Sequence, residues 1–140
     1  MTTTRRSPSF RMVLTGPRLT ITEALDDLQV AVYDYDQALA LDPQDARVYY
    51  HRGLVRKELD DPEGALEDYT QAIALDPEYA EAHAGKAGVH ALRGEVEEAC
   101  ASLEEAIGLD DAFRTWAGRA ADFAGLWGEA RFEALVVGEG

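Results

Sequence analysis

The sequence predicts an all-α protein, a short solenoid in which antiparallel helix pairs stack on one another. The first observation is a repeat. The stretch "QALALDP" at residues 37–43 returns as "QAIALDP" at 71–77 and as "EAIGLDD" at 105–111, each 34 residues after the last. The second is that apolar residues within each copy recur at helical spacing. The third is that aspartate and proline stand where helices would begin and end. A period of this length is typical of repeat architectures.

Length and composition set the limits of this prediction. A chain of 140 residues, 46% of them hydrophobic, suffices for one folded domain with its own core. No apolar run approaches the ~18–20 residues that a membrane span needs. Arg11, Pro17 and Arg18 interrupt the region where a secretory signal would be apolar. Cys100 is the only cysteine, so no disulfide can form within the chain, and a cytoplasmic location is expected.

The charge is unevenly distributed along the chain. Residues 1–22 hold four arginines and no acid, whereas residues 23–140 hold all 27 acids. The formal net charge of −14 repels nucleic acid and anionic membrane, so neither is expected as a partner. Such an acidic body favours solubility, with some preference for basic partners.

One copy consists of a helix, a tight turn, a second helix and a second turn. Asp45 suits the N-cap of a first helix over residues 46–59. The residues Asp-Asp-Pro at 60–62 end that helix and begin the next, because proline is tolerated in a first helical turn. The second helix covers residues 63–75 and carries its apolar and small residues on one stripe. A pair this short cannot bury its stripe alone, so the copies must stack.

The repeat also divides the chain into segments. Residues 1–19 are expected to form a flexible basic tail, with a short hairpin over residues 10–22 as the alternative. The helical repeat domain spans residues 20–137. Its parts are a degenerate first repeat over 20–45, full repeats over 46–79 and 80–113, and a truncated last repeat over 114–137.

Both terminal repeats depart from the regular pattern. Thr20 and Glu23 suit a capping box, so a helix is expected to begin near Ile21. One long or bent helix to Leu41 is favoured, and a turn at residues 26–27, as at residues 60–61, is the alternative. This helix would take the place of a regular pair, because the proline that begins the second helix at position 62 has a leucine as its counterpart here.

The last repeat concentrates aromatic residues. One helix is expected over residues 112–126 and a weaker one over residues 129–137. Five of the chain's aromatic residues lie here: Phe113, Trp116, Phe123, Trp127 and Phe132. Solenoid ends normally need a polar cap. These residues therefore either cover the open end of the stack or form a surface for self-association.

The repeated residues resemble the tetratricopeptide repeat family. In that family the period is 34 residues, and the second helix carries alanine, an aromatic residue four positions on, a second alanine and a closing proline. The matching residues are Ala65, Tyr69, Ala72 and Pro77 in one copy, Ala31, Tyr35, Ala38 and Pro43 in the copy before, and Ala99, Leu103, Ala106 and Asp111 in the copy after. The resemblance covers about residues 24–130. It implies a right-handed superhelix of about 6–7 helices.

The first helix of the second copy matches the family less closely. Tyr49 and Gly53 agree with the pattern. Arg52 and Arg56 stand where the family has leucine and tyrosine. Gly53 and Ala65 are expected where helices cross, because only small residues allow backbones to approach to roughly 8 Å.

The resemblance implies a non-enzymatic interaction module. In the family, the first helices line a concave groove that holds a peptide or a partner helix. The positions that the alignment assigns to this groove are Arg47, Tyr50, His51, Leu54, Lys57, Ala84, Gly85, Gly88 and Arg119. One branch of the family binds a C-terminal carboxylate with a Lys/Asn/Asn/Lys/Arg clamp. The matching positions are Tyr50, Leu54, Gly85, Thr115 and Arg119, of which only Arg119 fits, so that branch is not expected.

Gly85 and Gly88 lie within a predicted helix, where each glycine costs about 1 kcal/mol relative to alanine. One interpretation is close packing against a neighbouring helix. The other is that these glycines, with Ala84, form a smooth groove floor. That floor would take an extended segment or helix that carries an aromatic or leucine anchor and some acid.

No catalytic constellation is recognisable, since the sequence has neither a glycine-rich phosphate loop nor a nucleophile elbow. His83 and His90 lie roughly 10 Å apart along one helix and cannot share a metal ion without other ligands. Cys100 is expected to be a buried apolar residue. The sequence therefore predicts no enzyme, cofactor or metal. It predicts a partner protein, with assembly into a homo-oligomer as the alternative. A third hypothesis gives residues 5–18 a contact with nucleic acid or lipid.

Overall fold

Helices follow one another along residues 21–138, the part of the chain that this computed structural model describes. The α-helices are α1 (Ile21–Leu41), α2 (Ala46–Glu58), α3 (Pro62–Leu75), α4 (Ala80–Leu92), α5 (Val96–Leu109), α6 (Ala112–Arg119) and α7 (Ala130–Val137). A 3₁₀ segment, Ala121–Leu126, lies between α6 and α7. These residues contain no strand, so the all-α prediction is confirmed. With the 3₁₀ segment counted, the eight helices of this described part exceed the predicted 6–7 by one.

The helices pack as a stack of antiparallel pairs. Helix α2 pairs with α3 and helix α4 pairs with α5, and these are the two most extensive helix contacts among the described residues. Helix α1 packs against α2, and α3 packs against α4, so the pairs join in chain order. The 3₁₀ segment packs against α4, while α6 and α7 close the far end against α5. The predicted solenoid of stacked helix pairs is confirmed.

The turn between the two helices of a copy has a left-handed residue each time. Asp60 has a φ of 63°, Gly94 a φ of 75° and Gly128 a φ of 106°. Each lies 34 positions after the one before. A residue with a Cβ seldom adopts this conformation, whereas glycine adopts it readily and aspartate tolerates it. The 34-residue period is therefore present in the backbone as well as in the letters of the sequence.

Helices α2 and α3 begin as the sequence predicts. The Asp45 carboxylate accepts a hydrogen bond from the backbone N–H of Arg47 at 3.1 Å and caps α2. Asp61 accepts one from the backbone N–H of Gly64 at 3.0 Å, with Pro62 as the first residue of α3. Each cap satisfies a backbone N–H that has no partner inside its own helix.

The two ends of the chain are only partly within the described residues. Helix α1 is one uninterrupted helix, in agreement with the predicted long helix to Leu41. The capping residue Thr20, the basic tail over 1–19 and most of the possible hairpin over 10–22 lie outside the described residues. Helix α7 begins after Glu129, as predicted for the weaker last helix.

The structure corrects the single helix that the sequence predicts over residues 112–126. Helix α6 ends at Arg119, Ala120 is extended with a ψ of 134°, and the 3₁₀ segment follows. In a 3₁₀ helix, residues three apart eclipse one another. Phe123 and Leu126 have this spacing, and they are 0% and 2% exposed. The break therefore directs two large apolar side chains into the core.

Two buried clusters fill the stack. The smaller one, between α3 and α4, consists of Ala65, Tyr69 and Val89. The larger one consists of Ala87, Ala91, Ala99, Cys100, Leu103, Ile107, Ala117, Phe123, Leu126 and Phe132. Cys100 is buried, as predicted. Alanine supplies much of both clusters, and its small side chain lets helices approach closely where they cross.

Arg52 and Arg56 of α2, which depart from the family pattern, bind a buried carboxylate. Asp68 of α3 is 1% exposed. It accepts hydrogen bonds from Arg52 at 2.7 and 3.0 Å and from Arg56 at 3.3 Å. Arg52 also donates to Asp36 of α1 at 2.7 Å. One guanidinium group therefore joins α1, α2 and α3, where the family would place apolar contacts.

We expect Asp68→Ala to destabilise the fold by about 2–3 kcal/mol, because it leaves a largely buried Arg52 without its main partner. Asp36→Ala is the matched control. The Asp36 side chain is 46% exposed, so we expect this variant to lose less than about 1 kcal/mol. Urea denaturation followed by circular dichroism measures both free energies of unfolding. Equal losses in the two variants would contradict the structural role of Asp68.

Candidate partner-binding site

A small pocket lies between the first helices of three successive copies. Its volume is about 130 Å³. Its lining residues are Tyr50, Leu54 and Lys57 of α2, Tyr69 of α3, Glu81, Ala84 and Gly85 of α4, Phe113 and Trp116 of α6, and Asp122 of the 3₁₀ segment. An engineered apolar cavity of ~150 Å³ holds a benzene molecule. The pocket is therefore large enough for one side chain.

Tyrosines form the wall of the pocket on the side of α2 and α3. The ring centroid of Tyr50 lies 5.9 Å from that of Tyr69 and 5.1 Å from that of Tyr79. His51 lies beside Tyr50 at 5.1 Å, in an edge-on contact. Aromatic pairs at such distances stabilise one another beyond their burial. The wall is thus held in place by contacts within its own row of rings.

A second row of rings forms the opposite wall. Trp116 contacts Phe113 at a centroid distance of 5.7 Å and Phe123 at 5.3 Å, both nearly perpendicular. Phe123 in turn stacks on Phe132 at 5.6 Å. The exposed end of this row, Phe113 and Trp116, faces the pocket, while Phe123 and Phe132 belong to the core.

The back of the pocket is the ring of Tyr69, which lies between two glycines. A Cβ atom on Gly53 would come within 2.8 Å of the ring, and one on Gly85 within 2.7 Å. Tyr69 is 0% exposed, and its hydroxyl has no hydrogen-bond partner among the described residues. The sequence left two interpretations of Gly85 open, close packing and a place in the groove floor. Gly85 agrees with both, since it packs closely against Tyr69 and also lines the pocket.

An ion pair closes one end of the pocket. Lys57 of α2 donates to Asp122 of the 3₁₀ segment, 65 residues further along the chain. Gly88 allows this arrangement, because a Cβ there would lie 2.7 Å from the Asp122 carboxylate. The contact holds the 3₁₀ segment across α4 and against α2.

The carboxylates around the pocket act on its tyrosines. Burial raises the pKa of Tyr50, and the nearby negative charge of Glu81 raises it further. Burial, then Tyr50 and Glu81, raise the pKa of Tyr79 to about 12. Burial also raises the pKa of Tyr69, with smaller contributions from Tyr50 and Asp122. All three hydroxyls are consequently protonated at neutral pH.

The pocket contains part of the groove that the resemblance implied. Five of the nine groove positions line it: Tyr50, Leu54, Lys57, Ala84 and Gly85. Arg47 and His51 are exposed on α2 beside the pocket, Arg119 is exposed at the end of α6, and Gly88 is buried under Asp122. None of these four is among the lining residues.

Three lining residues were assigned to other roles in the sequence. Tyr69 was assigned to the repeat pattern of the core, and Phe113 and Trp116 to the end of the stack. The repeat register could have indicated a place in the groove for Phe113 and Trp116, because α6 is the first helix of its copy and first helices face the groove. The break at Ala120 obscures that register.

The five aromatic residues of the last repeat do not share one environment. Phe123 and Phe132 are fully buried, so they cannot contact a second copy, and their assignment to a self-association surface is wrong. Phe113 is partly buried. Trp116 and Trp127 are 37% and 47% exposed. Phe123 and Phe132 therefore fill the core at the end of the stack, whereas the two tryptophans remain on the surface.

The two histidines that the sequence analysis considered as metal ligands have local partners. His83 contacts the carbonyl of Pro77 at 3.0 Å, and His90 contacts Glu95 at 2.7 Å. No group of three or more potential ligands in the described part of the chain could hold a metal ion. No helix between residues 21 and 138 is long and apolar enough to cross a membrane.

Family comparisons agree with this geometry. Two family models, both described as tetratricopeptide repeat, match residues 20–89 and residues 57–131. The chain belongs to the tetratricopeptide repeat family. No curated protein matches the sequence.

Solved structures similar to this tetratricopeptide repeat protein share its fold at low sequence identity. The first tetratricopeptide repeat domain of Spaghetti (RPAP3), bound to the HSP90 peptide SRMEEVD, is 16% identical with a TM-score of 0.61, and the match covers 83% of this chain and 82% of that one. MamA is 21% identical with a TM-score of 0.67, over 84% and 68% of the two chains. The Yersinia enterocolitica type III secretion translocator chaperone SycD is 17% identical with a TM-score of 0.54, over 86% and 89%.

We expect Gly85→Ala to lower the free energy of unfolding by about 1–2 kcal/mol. The new methyl group overlaps the buried ring of Tyr69, and this cost exceeds the gain in helix propensity. Gly108→Ala, in α5, is the control because nothing lies within 4 Å of the new Cβ. Its stability should be unchanged or raised by up to about 1 kcal/mol in urea denaturation. A Gly85→Ala protein as stable as the wild type would show that the Tyr69 ring is free to move.

Proposed function

We propose that this tetratricopeptide repeat protein is a non-enzymatic interaction module of the cytoplasm. Its pocket would take one anchor side chain from another protein, presented on an extended segment or a helix. The observation that carries the proposal is the convergence of three copies, through residues such as Tyr50, Gly85 and Trp116, on one recess. A preformed and largely apolar recess with a few polar groups is the usual form of a ligand site.

Solved relatives support the use of this fold for binding protein segments. RPAP3 is bound to an HSP90 peptide, and SycD is named as a chaperone of secreted translocators. The identities of 16% and 17% relate the folds alone. The side chains of this chain differ from a carboxylate clamp at four of its five positions, which are occupied by Tyr50, Leu54, Gly85 and Thr115. The proposal therefore concerns an internal side chain of the partner and not a chain terminus.

The lining supports an anchor that packs apolar surface into the pocket, and it disfavours an acidic one. Leu54, Ala84 and the aromatic rings provide the apolar surface. Lys57 is the one cation in the lining, and it is already paired with Asp122, while Glu81 adds a second carboxylate. An acid in the partner would meet net repulsion here. We therefore do not retain the acid that the sequence suggested for the ligand.

A peptide-display selection on the immobilised protein tests the proposal. We expect selected peptides to lose at least about tenfold in affinity for the Tyr50→Ala/Leu54→Ala variant, because truncated anchor contacts typically cost more than 1 kcal/mol. Trp116→Ala should show a similar loss of affinity. It alters a residue that is more exposed than Tyr50 and Leu54. Calorimetry on purified peptides gives the dissociation constants, and circular dichroism verifies that each variant is folded.

The matched control for this selection is Tyr33→Ala/Leu92→Ala, which removes the same residue types from surfaces outside the pocket. Tyr33 and Leu92 are 62% and 58% exposed. The control should bind the selected peptides as the wild type does. Peptides that bind all three variants with wild-type affinity would place the interaction elsewhere and reject the pocket.

The second candidate function is self-assembly through the end of the stack. The observation that favours it is the exposure of Trp127, which lies edge-on to Phe132 at 5.1 Å, together with Val137 of α7, 66% exposed. Exposed tryptophan is enriched at protein interfaces. The surface for a second copy would therefore be formed by Trp127 and α7.

We expect this candidate, if correct, to give a dimer whose population rises with concentration. Trp127→Ala should remain monomeric, whereas Tyr33→Ala, at the other end of the stack, should dimerise as the wild type does. Analytical ultracentrifugation up to about 1 mM reaches contacts worth about 4 kcal/mol. A monomer mass for the wild type over this whole range would exclude self-assembly.

A further inference from the structure

Four aromatic rings line the pocket of the proposed function. Tyr50 and Tyr69 lie on one side, tilted by 41° to each other, and Phe113 and Trp116 lie on the other, at 88° to each other. The four rings therefore surround one small volume in several orientations. The faces of aromatic rings attract cations, with tryptophan the strongest, and sets of aromatic side chains recognise ammonium groups in this way.

The charges of the lining are also those of a cation site. Asp122 and Glu81 are carboxylates, and Lys57 is the single cation. Lys57 compensates Asp122, but Glu81 makes no ion pair with any residue between 21 and 138. Its charge reaches the tyrosine wall, since it contributes to the raised pKa values of Tyr50 and Tyr79. One uncompensated negative charge therefore remains beside the rings.

Lys57 provides an internal example of a cation at this place. Its ammonium group lies on Asp122 at one end of the pocket, and its side chain is 25% exposed. A basic side chain with an apolar stem is thus compatible with the lining. The other end, near Glu81 and the ring of Tyr50, has the same combination of carboxylate and aromatic surface. Arg47 lies near Tyr79 and partly offsets the effect of Glu81 on it, but Arg47 does not line the pocket and makes no ion pair with Glu81.

The charge of the whole chain acts in the same direction. A net charge of −14 attracts basic segments from a distance and repels acidic ones. Long-range attraction alone does not select a residue, but it adds to the local preference that the rings and Glu81 create.

We propose that the pocket selects an arginine or lysine side chain of the partner segment. The aliphatic stem would pack on Leu54 and Ala84, and the charged head would lie between the aromatic rings and Glu81. Long basic side chains bury an apolar stem while the head keeps polar contacts, and arginine also stacks on aromatic faces. This inference rests on the proposed function and specifies the chemistry of the anchor.

Blocked single amino acids test the inference independently of any selected peptide. The probes are the N-acetyl methylamides of arginine, lysine, norleucine and glutamate, added to the full chain with ¹⁵N labelling. We expect the indole N–H signal of Trp116 to shift on addition of the basic probes, with the indole signal of Trp127 as internal control. The dissociation constants for arginine and lysine should be at least about fivefold lower than for norleucine, which has a similar stem without charge.

Glu81→Gln should abolish most of this preference while it preserves the norleucine affinity. Glu105→Gln is the control, because Glu105 is exposed on α5, away from the pocket, and removes the same charge from the chain. It should leave the preference intact. Raising the ionic strength to about 1 M, where the Debye length is about 3 Å, should reduce the preference in the wild type.

The outcomes separate this inference from the proposed function. Norleucine binding as well as arginine at the Trp116 signal would overturn the cation preference, although the pocket would still accept an anchor. A preference for the glutamate probe, or equal losses in Glu81→Gln and Glu105→Gln, would also overturn it. If no probe shifts the Trp116 signal, the inference is rejected, and the display selection alone then decides the proposed function.

Discussion

The ring of Tyr69 lies between α2 and α4, against Gly53 on one side and Gly85 on the other, and the stacking of the α2–α3 pair on the α4–α5 pair depends on it. The ring fixes the distance between two successive first helices, because any side chain larger than hydrogen at either glycine would push a helix away. It also supports Tyr50 and forms the back of the pocket. A core contact between repeats is thus at the same time a surface of the candidate site. Stability and binding share one side chain, so changes at this contact alter both.

Asp68 precedes Tyr69 in the sequence and is charged, whereas the buried ring of Tyr69 is apolar. Asp68 is as deeply buried as Tyr69, but it binds Arg52 and Arg56, and through Arg52 it reaches Asp36 of α1. Buried ion pairs add little net stability compared with apolar packing, but they fix geometry strictly, because an unpaired charge is costly. Helix α1 has no second helix of its own copy within the described residues. The bond from Arg52 to Asp36 therefore adds a directed contact to the packing of α1 against α2.

The sequence was sufficient for the features that recur and insufficient for those that occur once. The period, the helix pairs and the cap at Asp45 follow from local rules that each copy repeats. The break at Ala120 does not, because the residues around it have helical spacing and only the burial of Phe123 against the core favours a 3₁₀ turn. The pair of Lys57 and Asp122 joins residues 65 positions apart, and no local pattern announces such a contact. The aromatic wall of the pocket was missed for the same reason, since Trp116 comes from the irregular last copy.

The left-handed residues at Asp60, Gly94 and Gly128 have a wider consequence. Each lies in the turn that reverses the chain and has a positive φ, although the helices on either side differ in sequence. Gain or loss of a whole 34-residue copy would therefore leave the chain running in its original direction. The stack would change in length, but the orientation of the remaining helix pairs would stay the same. Within that constant framework, substitutions in the first helices are free to change the walls of the groove. Lineages of such a protein could thus exchange partners without a new fold, by duplication of one module and divergence of a few facing residues.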